Sequence, residues 1–258
     1  MKAQLIDLVK DGPFRDGQLS VAYGVEQAAL HEEEWCSSKS KRFIYAPNPC
    51  LLNAEGVELL LPGYSLTVVD PGTDIYLKVT DLETVVKTIV IELPPVPILD
   101  EEQQKFLGAP YLIHGNGLNS AVQYELEDRI VIYTDASRER VADLRAGKRS
   151  KPGWFTDASK DQPAGIAVAR WKKMADKEKQ HYHNFTNESF VISKGSAKFD
   201  IEGVPVEAPT GSFLYVKRGI AHKLADIGFD ANGDYSHLSC QYPAVPMDVK
   251  GEKVVVEQ

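Results

Sequence analysis

The chemistry of this chain is concentrated in one short segment, Gln180-His-Tyr-His-Asn-Phe-Thr-Asn-Glu188. His181 and His183 are two residues apart, so on a β-strand both imidazoles leave the same face. Asn184 to Asn187 supply turn-forming residues, and Glu188 follows at the start of the next strand, within reach of the pair. Imidazole and carboxylate donors together suit Zn, Fe, Mn, Ni, Cu or Co. The segment therefore predicts part of a transition-metal site.

The residues around this segment resemble the first of the two motifs of the cupin superfamily. That motif runs Gly, five residues, His-x-His, three or four residues, Glu, six residues, Gly. The chain has Ala175 where the family has its first glycine, and it places His181, His183, Glu188 and Gly195 at the expected spacings. The departure falls on a boundary position, and the ligand positions are kept.

A second set of residues resembles the second cupin motif, which runs Gly, five residues, Pro-x-Gly, two residues, His, three residues, Asn. The matching positions are Gly211, Lys217, Gly219, His222 and Asp226, with Lys217 in place of Pro and Asp226 in place of Asn. Fifteen residues separate the two motifs, a common minimal length in the family. Because a glycine permits a tight bend, we expect Gly219 to aim His222 inward despite the missing proline. The resemblance covers about residues 160 to 245.

The resemblance implies one divalent transition metal held by four side chains, His181, His183, Glu188 and His222. Fe(II) is favoured, and Mn, Ni, Zn, Co or Cu are alternatives. Four protein ligands leave two positions of a six-coordinate ion open, which is typical of catalytic rather than structural sites. Such sites in the family serve dioxygenases, decarboxylases, isomerases and lyases, and the fold alone does not choose among them.

Three further residues are candidates for catalysis. In the predicted strand at residues 236–242, alternation places His237, Ser239 and Gln241 on one face. If that face points inward, His237 could serve as acid or base and Gln241 could hold the substrate. A hydrogen-bonded structural role is the alternative for His237. Arg170 lies on the strand before the first motif and is a candidate for recognising a carboxylate or phosphate.

Three functions are compatible with this site. The first is an iron-dependent or other metal-dependent oxygenase that acts on a small-molecule substrate. The second is a non-oxidative isomerase, epimerase or lyase that uses the metal as a Lewis acid. The third is a bicupin that binds a small molecule without turnover. We rank the oxygenase first, because a complete set of three histidines and one glutamate suits oxygen chemistry.

The whole chain has the texture of an all-β protein built from many short strands separated by Gly and Pro. We predict two β-barrel domains, residues 1–150 and 151–258, the second a double-stranded β-helix (cupin jelly roll). Short helices are expected at 2–10, 100–108 and 135–145. The first domain contains only two histidines, His31 and His114, and neither has a partner at motif spacing. It is therefore predicted to be a degenerate cupin without metal, with a non-cupin β domain as the alternative.

The net charge of −8 disfavours binding to a nucleic-acid backbone, which requires clustered Lys and Arg. The chain lacks an apolar run of 18 residues and a secretory signal at its start, so neither a membrane span nor secretion is expected. Three widely spaced cysteines indicate reduced thiols rather than a disulfide framework. We expect a cytoplasmic protein with a small-molecule substrate, and a homodimer is a further expectation.

Overall fold

The computed structural model describes residues 3–11, 14–15, 19–26, 33–35, 40–54, 57–61, 64–73, 75–78, 86–93, 122–126, 130–134, 153–156, 163–171, 178–245 and 249–256. Several predicted features lie outside these residues: His31, His114, Ala175, the helices at 100–108 and 135–145, and most of the predicted boundary near residue 150. Within the described ranges, no helix is long and apolar enough to span a membrane.

The described part of the chain forms β-strands and no helix, which confirms the all-β prediction. In chain order the strands are β1 (Ala3–Asp7), β2 (Phe14–Arg15), β3 (Ser20–Glu26), β4 (Glu33–Trp35), β5 (Lys41–Ala46), β6 (Cys50–Ala54), β7 (Val57–Leu61), β8 (Ser65–Val69), β9 (Ile75–Lys78), β10 (Val86–Leu93), β11 (Val122–Leu126), β12 (Ile130–Thr134), β13 (Gly153–Thr156), β14 (Gly165–Trp171), β15 (His181–His183), β16 (Asn187–Lys194), β17 (Ser196–Ile201), β18 (Val204–Pro209), β19 (Ser212–Val216), β20 (His222–Gly228), β21 (Tyr235–Tyr242) and β22 (Lys253–Val255).

The chain divides into two compact units, each with two antiparallel sheets. Unit 1 comprises residues 1–7, 97–120 and 137–258, and unit 2 comprises residues 8–96 and 121–136. Unit 1 contains a six-stranded sheet, in the order β1-β19-β16-β21-β14-β13, and a five-stranded sheet, in the order β18-β17-β20-β15-β22. Unit 2 contains a seven-stranded sheet, β11-β12-β8-β5-β10-β3-β2, and a four-stranded sheet, β4-β9-β6-β7.

The core of unit 1 lies between its two sheets. Alternate residues of β16 and β19 face inward, and they meet the inward residues of β17 and β20 from the other sheet. The rings of Phe190 and Phe199, one from each sheet, have centroids 4.8 Å apart, and both side chains are buried. Burial of an aromatic side chain stabilises a fold by about 1.5–3 kcal/mol. The contact between these two rings therefore helps to hold together the two sheets that carry the predicted metal ligands.

Unit 2 has its own buried sheet face. Val21, Phe43, Val68 and Ile91 occupy adjacent positions across four neighbouring strands of the seven-stranded sheet, and all four are buried. Adjacent positions in a ladder share one face of a sheet, so these residues form a continuous apolar stripe. Such a stripe is typical of one wall of a sandwich or barrel.

The prediction of a helix at residues 2–10 is wrong. Residues 3–7 form β1, which pairs antiparallel with β19 in the register Ala3↔Val216 to Asp7↔Ser212. A short run with both polar and apolar residues is compatible with a helix or a strand. Here the pairing of residues 3–7 with the buried strand β19 favours the strand. Consequently the start of the chain belongs to unit 1, and the division into domains of residues 1–150 and 151–258 stays a prediction.

Candidate metal centre

Three strands from both sheets of unit 1 bring the four predicted ligands together. His181 and His183 are the two ends of β15, and His222 begins β20, where its backbone is the register partner of His181. Glu188 is the second residue of β16 in the opposite sheet. The two-residue spacing places both β15 histidines on one strand face, as the sequence predicted. The side chains of all four residues are buried.

The bend before His222 depends on Gly219 rather than on a proline. Gly219 has φ of +76°, and its N–H donates to the backbone oxygen of His183 at 2.7 Å. This φ is favourable for glycine and unfavourable for other residues. Lys217, which stands at the family's proline position, is therefore compatible with the inward direction of His222. The backbone hydrogen bond also ties the loop directly to the strand that carries the other two histidines.

The four candidate ligand atoms converge on one point. All of them lie within 4.8 Å of one another. The Oε2 atom of Glu188 lies 3.8 Å from Nε2 of His181, 3.0 Å from Nε2 of His183 and 2.9 Å from Nε2 of His222. Donor atoms about 2.0–2.2 Å from one ion are about 3–4 Å apart, so these separations fit a single metal ion.

The other ring nitrogen of each histidine has a hydrogen-bond acceptor. Nδ1 of His181 lies 3.0 Å from the backbone oxygen of Lys179, and Nδ1 of His222 lies 2.9 Å from that of Ile220. Nδ1 of His183 lies 3.1 Å from Oε1 of Glu252. A backbone carbonyl or an ionised carboxylate accepts hydrogen bonds and cannot donate them. These partners therefore hold the single proton of each neutral imidazole on Nδ1. Each Nε2 lone pair then faces the centre.

This arrangement fits a metal cation. Three nitrogen lone pairs and a carboxylate oxygen that face one another repel unless a positive charge lies among them. Nε2 of His183 is also fully buried and, although Glu188 Oε2 is 3.0 Å away, it makes no hydrogen bond. Outer partners on Nδ1 are the usual companions of metal-bound histidines. The donor set thus suits a divalent transition metal, and the four residues form a group that could hold one.

The electrostatics of the metal-free site reflect the same crowding. Burial alone would lower the pKa of His183, but the adjacent carboxylates of Glu188 and Glu252 raise that pKa to about 9. Burial alone would raise the pKa of Glu188, but the adjacent imidazoles of His181, His183 and His222 hold it well below its usual range. A proton on His183 therefore balances the carboxylates when no metal is bound.

Gln241 contacts the remaining oxygen of Glu188. Its Nε2 donates to Glu188 Oε1 at 3.2 Å, and the two residues are register partners on β21 and β16. The candidate role of Gln241 in holding a substrate required its strand face to point inward, and the contact with Glu188 is compatible with that direction; the role itself stays a prediction. Because Oε1 is held by this donor, Oε2 alone is directed at the histidines. Gln241 thus favours a carboxylate that would offer a metal one oxygen rather than two.

His237 lies further along its sheet from Glu188 than Gln241 does, because its register partner on β16 is Ile192. Its Nδ1 is 2.8 Å from the hydroxyl of Tyr235, and its ring packs edge-on against Trp171 and Phe190, with centroids 5.7 Å and 5.6 Å away. This enclosed, hydrogen-bonded setting supports the structural alternative for His237. Its role as a catalytic acid or base stays a prediction.

Arg170 lies away from the four-ligand group. On β14 it is the register partner of Ser236, whereas its neighbour Ala169 is the partner of His237. Successive side chains of a strand point to opposite faces, so Arg170 lies on the face opposite Ala169 and His237. The structure therefore does not bring Arg170 together with the metal ligands, and its role in recognising an anion stays a prediction.

Glu252 is a site residue that the sequence analysis missed. It lies 69 positions after His183, beyond both cupin motifs, yet its buried carboxylate contacts that histidine. Burial alone would raise the pKa of Glu252, but its hydrogen bonds to His183, Thr186 and the Phe185 N–H lower it. The only local signal is the run Lys253-Val-Val-Val256, which predicts a short strand and says nothing of a glutamate before it.

No known protein-family model matches the chain. Protein SchB of Streptomyces halstedii is 26% identical over 106 residues, which are 40% of this chain and 72% of SchB. This relative is too distant, and covers too little of the chain, to assign a family.

Solved structures of similar fold cover nearly the whole chain. Ylba from E. coli has 9% identity and a TM-score of 0.57, over 96% of this chain and 84% of Ylba. Oxalate decarboxylase of Bacillus subtilis has 11% identity and a TM-score of 0.55, over 98% of this chain and 74% of the decarboxylase. Salicylate 1,2-dioxygenase from Pseudaminobacter salicylatoxidans has 9% identity and a TM-score of 0.52, over 92% of this chain and 79% of the dioxygenase. At such identities the similarity concerns the fold alone, and it confirms the predicted cupin jelly roll.

Proposed function

We propose that this protein is a metal-dependent cupin enzyme that acts on a small molecule, with Fe(II) as the metal and oxygenation as the reaction. The observation that carries the proposal is the convergence of three Nε2 atoms and one carboxylate oxygen within 4.8 Å. All three Nδ1 atoms are occupied by acceptors, so the free lone pairs are committed to the centre. Side chains arranged in this way are costly to bury without a cation.

The arrangement supports catalysis rather than a structural role for the metal. Four donor atoms would leave two positions of a six-coordinate ion for substrate, water or dioxygen, because Gln241 restrains Glu188 to one oxygen. A divalent ion held there would supply Lewis acidity and, in the case of Fe(II), one-electron chemistry with dioxygen. A closed structural site would instead use all of its positions for protein ligands.

The surrounding side chains exclude water from one side of the site. Phe190 lies beside His222, with ring centroids 6.1 Å apart, and Val216 is the register partner of Glu188 on β19. Both residues belong to the buried cluster of unit 1. An apolar floor strengthens electrostatic interactions at the site and protects reactive species from water. The chain thus contributes orientation and a dry environment, and the metal contributes the reactivity.

A second candidate is a non-oxidative lyase or isomerase that uses the same site. The similar structures include both a salicylate 1,2-dioxygenase and an oxalate decarboxylase with Mn(II) centres. The chain's imidazole and carboxylate ligands accept Mn(II) as well as Fe(II). The two candidates differ in their need for dioxygen, which makes them separable by experiment.

The proposal is tested with protein that has been reconstituted anaerobically with Fe(II) or Mn(II). Small carboxylic acids and phenols are incubated with it in air and without oxygen, while dioxygen consumption and products are followed. We expect turnover in air with the Fe(II) form, and its loss in the His222→Ala variant. Turnover without oxygen would assign the second candidate. Metal binding without any product across a broad panel would contradict an enzymatic role.

We also propose that unit 2 is a cupin barrel that has lost its metal. Two observations support this: unit 2 has two antiparallel sheets of its own, and the similar structures cover 92–98% of the chain rather than unit 1 alone. In unit 2 no group of metal ligands occurs among the described residues. The proposal predicts one metal ion per chain, and two ions per chain would contradict it.

A further inference from the structure

The segment that contains β22 is hydrogen-bonded to β15, the strand that carries two of the candidate metal ligands. β22 pairs antiparallel with β15 in the register His181↔Val255 to His183↔Lys253. Backbone hydrogen bonds extend the pairing at both ends, from Val256 N–H to Gln180 (2.9 Å) and from Asn184 N–H to Glu252 (2.9 Å). β15 lies between β20 and β22 in the sheet, so β22 covers its outer edge.

The side chain of Glu252 is the convergence point of three donors. Oε1 lies 3.1 Å from Nδ1 of His183 and accepts from the Thr186 hydroxyl at 2.5 Å, while Oε2 accepts from the Phe185 N–H at 2.9 Å. The residue is only 8% exposed. A buried group that faces three donors must be an acceptor at both oxygens, which a carboxylate provides. These contacts fix the carboxylate in one orientation.

His183 depends on this carboxylate in a way that the other two histidines do not. The acceptors for His181 and His222 are backbone oxygens of residues two positions earlier in the chain, just before β15 and β20. The acceptor for His183 comes from a separate segment and is charged. A carboxylate on Nδ1 orients the ring and makes Nε2 a stronger donor to a metal. The orientation of His183 is therefore not determined by the two cupin motifs alone.

We propose that Glu252 is a positioning residue of the metal centre: it aims His183 at the metal, so that the segment containing β22 completes the site. This inference rests on the proposed function, because it assumes that a metal binds. The residue does not touch the metal or the substrate. It acts through His183, and its removal should weaken the binding of metal without unfolding the protein.

The test compares Co(II) binding in the full-length wild type and in the Glu252→Gln variant. A glutamine has one oxygen and one NH₂ group, so one of the three donors must face another donor. We expect the Co(II) dissociation constant to rise by about 10- to 100-fold, as for other outer partners of metal-bound histidines. The visible ligand-field bands of Co(II) should shift as well, because the direction of the His183 donor changes.

Glu178→Gln is the matched control for loss of a negative charge near the site. Oε1 of Glu178 lies 3.7 Å from Nδ1 of His181, and the side chain accepts hydrogen bonds from the Leu224 N–H at 3.1 Å and from the exposed Nζ of Lys253 at 3.5 Å. It is partly exposed, so its charge is screened. The dissociation constant should change by less than about threefold, and the Co(II) spectrum should match that of the wild type. An equal loss of Co(II) affinity in both variants would mean that the negative charge alone affects binding, which would overturn a positioning role.

A second measurement does not depend on any variant folding. In the Zn(II)-loaded wild type, long-range ¹H–¹⁵N spectra report which nitrogen of each imidazole carries the proton. We expect a slowly exchanging proton on Nδ1 of His183, with a chemical shift distinct from those of His181 and His222. A proton that exchanges rapidly with water there would overturn the inference. Failure of the wild type to bind either metal would instead contradict the proposed function, and wild-type affinity and spectrum in Glu252→Gln would overturn only the role of Glu252.

Discussion

His183 has a carboxylate close to each of its ring nitrogens: Glu188 Oε2 lies 3.0 Å from Nε2 and Glu252 Oε1 lies 3.1 Å from Nδ1. Burial disfavours its charged form, yet the two carboxylates raise its pKa to about 9. A metal ion that binds near neutral pH must therefore displace a proton from this ring. The affinity for metal therefore depends on pH through the protonation of His183.

We predict that metal affinity rises with pH between 6.5 and 8.5. Below a pKa of about 9, displacement of one proton makes the apparent affinity increase about tenfold per pH unit. The folded pKa of His183 is raised, so its protonation stabilises the metal-free protein fully below about pH 6.5 and no longer does so above about pH 9. Chelator competition with Zn(II) at several pH values measures the affinity. An affinity that is constant across this range would contradict the assignment.

We predict that Gln241→Met retains the metal but weakens binding of nitric oxide, a dioxygen analogue, to the Fe(II) form. Without the N–H from Gln241, Oε1 of Glu188 is free to turn toward the metal and occupy an open position. Ser239→Ala is the control, because Ser239 is the next residue on the same strand face and is paired with Phe190 rather than Glu188. Equal nitric oxide affinity in the Gln241→Met variant and the wild type would contradict this role.

At the scale of the element, the turn between β16 and β17 passes close to the end of β20 in unit 1. Gly195 has φ of +72°, and a Cβ atom built on it would lie 2.3 Å from the backbone oxygen of Gly228. No side chain fits this space without displacing β20, which begins with His222. The glycine at the end of the first cupin motif is thus explained by a close backbone approach, in addition to its conformation.

We predict that Gly195→Ala destabilises the protein more than Gly203→Ala does. Both glycines have positive φ, but a Cβ at Gly203 would meet nothing within 4 Å. Gly203→Ala should cost about 1–2 kcal/mol of unfolding free energy from conformation alone. Gly195→Ala should cost about 1–3 kcal/mol more, because the added atom overlaps Gly228. Urea denaturation of the metal-loaded proteins measures both, and equal midpoints would contradict the packing argument.

Strands were predictable from sequence where the chain is rich in β-branched and aromatic residues. The strand predicted at residues 236–242 is β21, which begins one residue earlier, and β7, β8 and β19 are likewise apolar runs with Gly or Pro close to their ends. β18 escaped prediction because it contains Pro205 and Pro209, and a strand with prolines is tolerated at a sheet edge, where it lies. The pairing of β1 and the role of β22 depend on contacts between distant segments, which local patterns do not encode.

At the scale of the site, the grouping of the four candidate ligands was predictable because each lies at a fixed spacing within a local motif. Glu252 was not, since its contact with His183 joins residues 69 positions apart. His237 and Gln241 share one face of β21, but the alternation does not reveal what each side chain contacts, and their catalytic roles stay predictions. The structure separates them by their partners, Tyr235 for His237 and Glu188 for Gln241.

At the scale of the whole molecule, the chain combines one unit that carries the complete set of candidate ligands with a second unit whose described residues also form β-sheets. Similar cupin-fold structures extend over both units, whereas the sequence relative covers 40% of the chain. The predicted homodimer and the cytoplasmic location stay predictions. The central claim concerns unit 1: its four side chains bind one metal ion that the protein requires for its activity.

Metal analysis of purified protein after anaerobic reconstitution tests that claim most directly. The wild type should retain one Fe(II), Mn(II) or Co(II) ion per chain after removal of unbound metal. The His181→Ala and His222→Ala variants should retain only traces while keeping the circular dichroism of the wild type, because each loses one of the four candidate donors in the described part of the chain. A wild-type protein that retains no metal, or variants that retain as much as the wild type, would contradict the account.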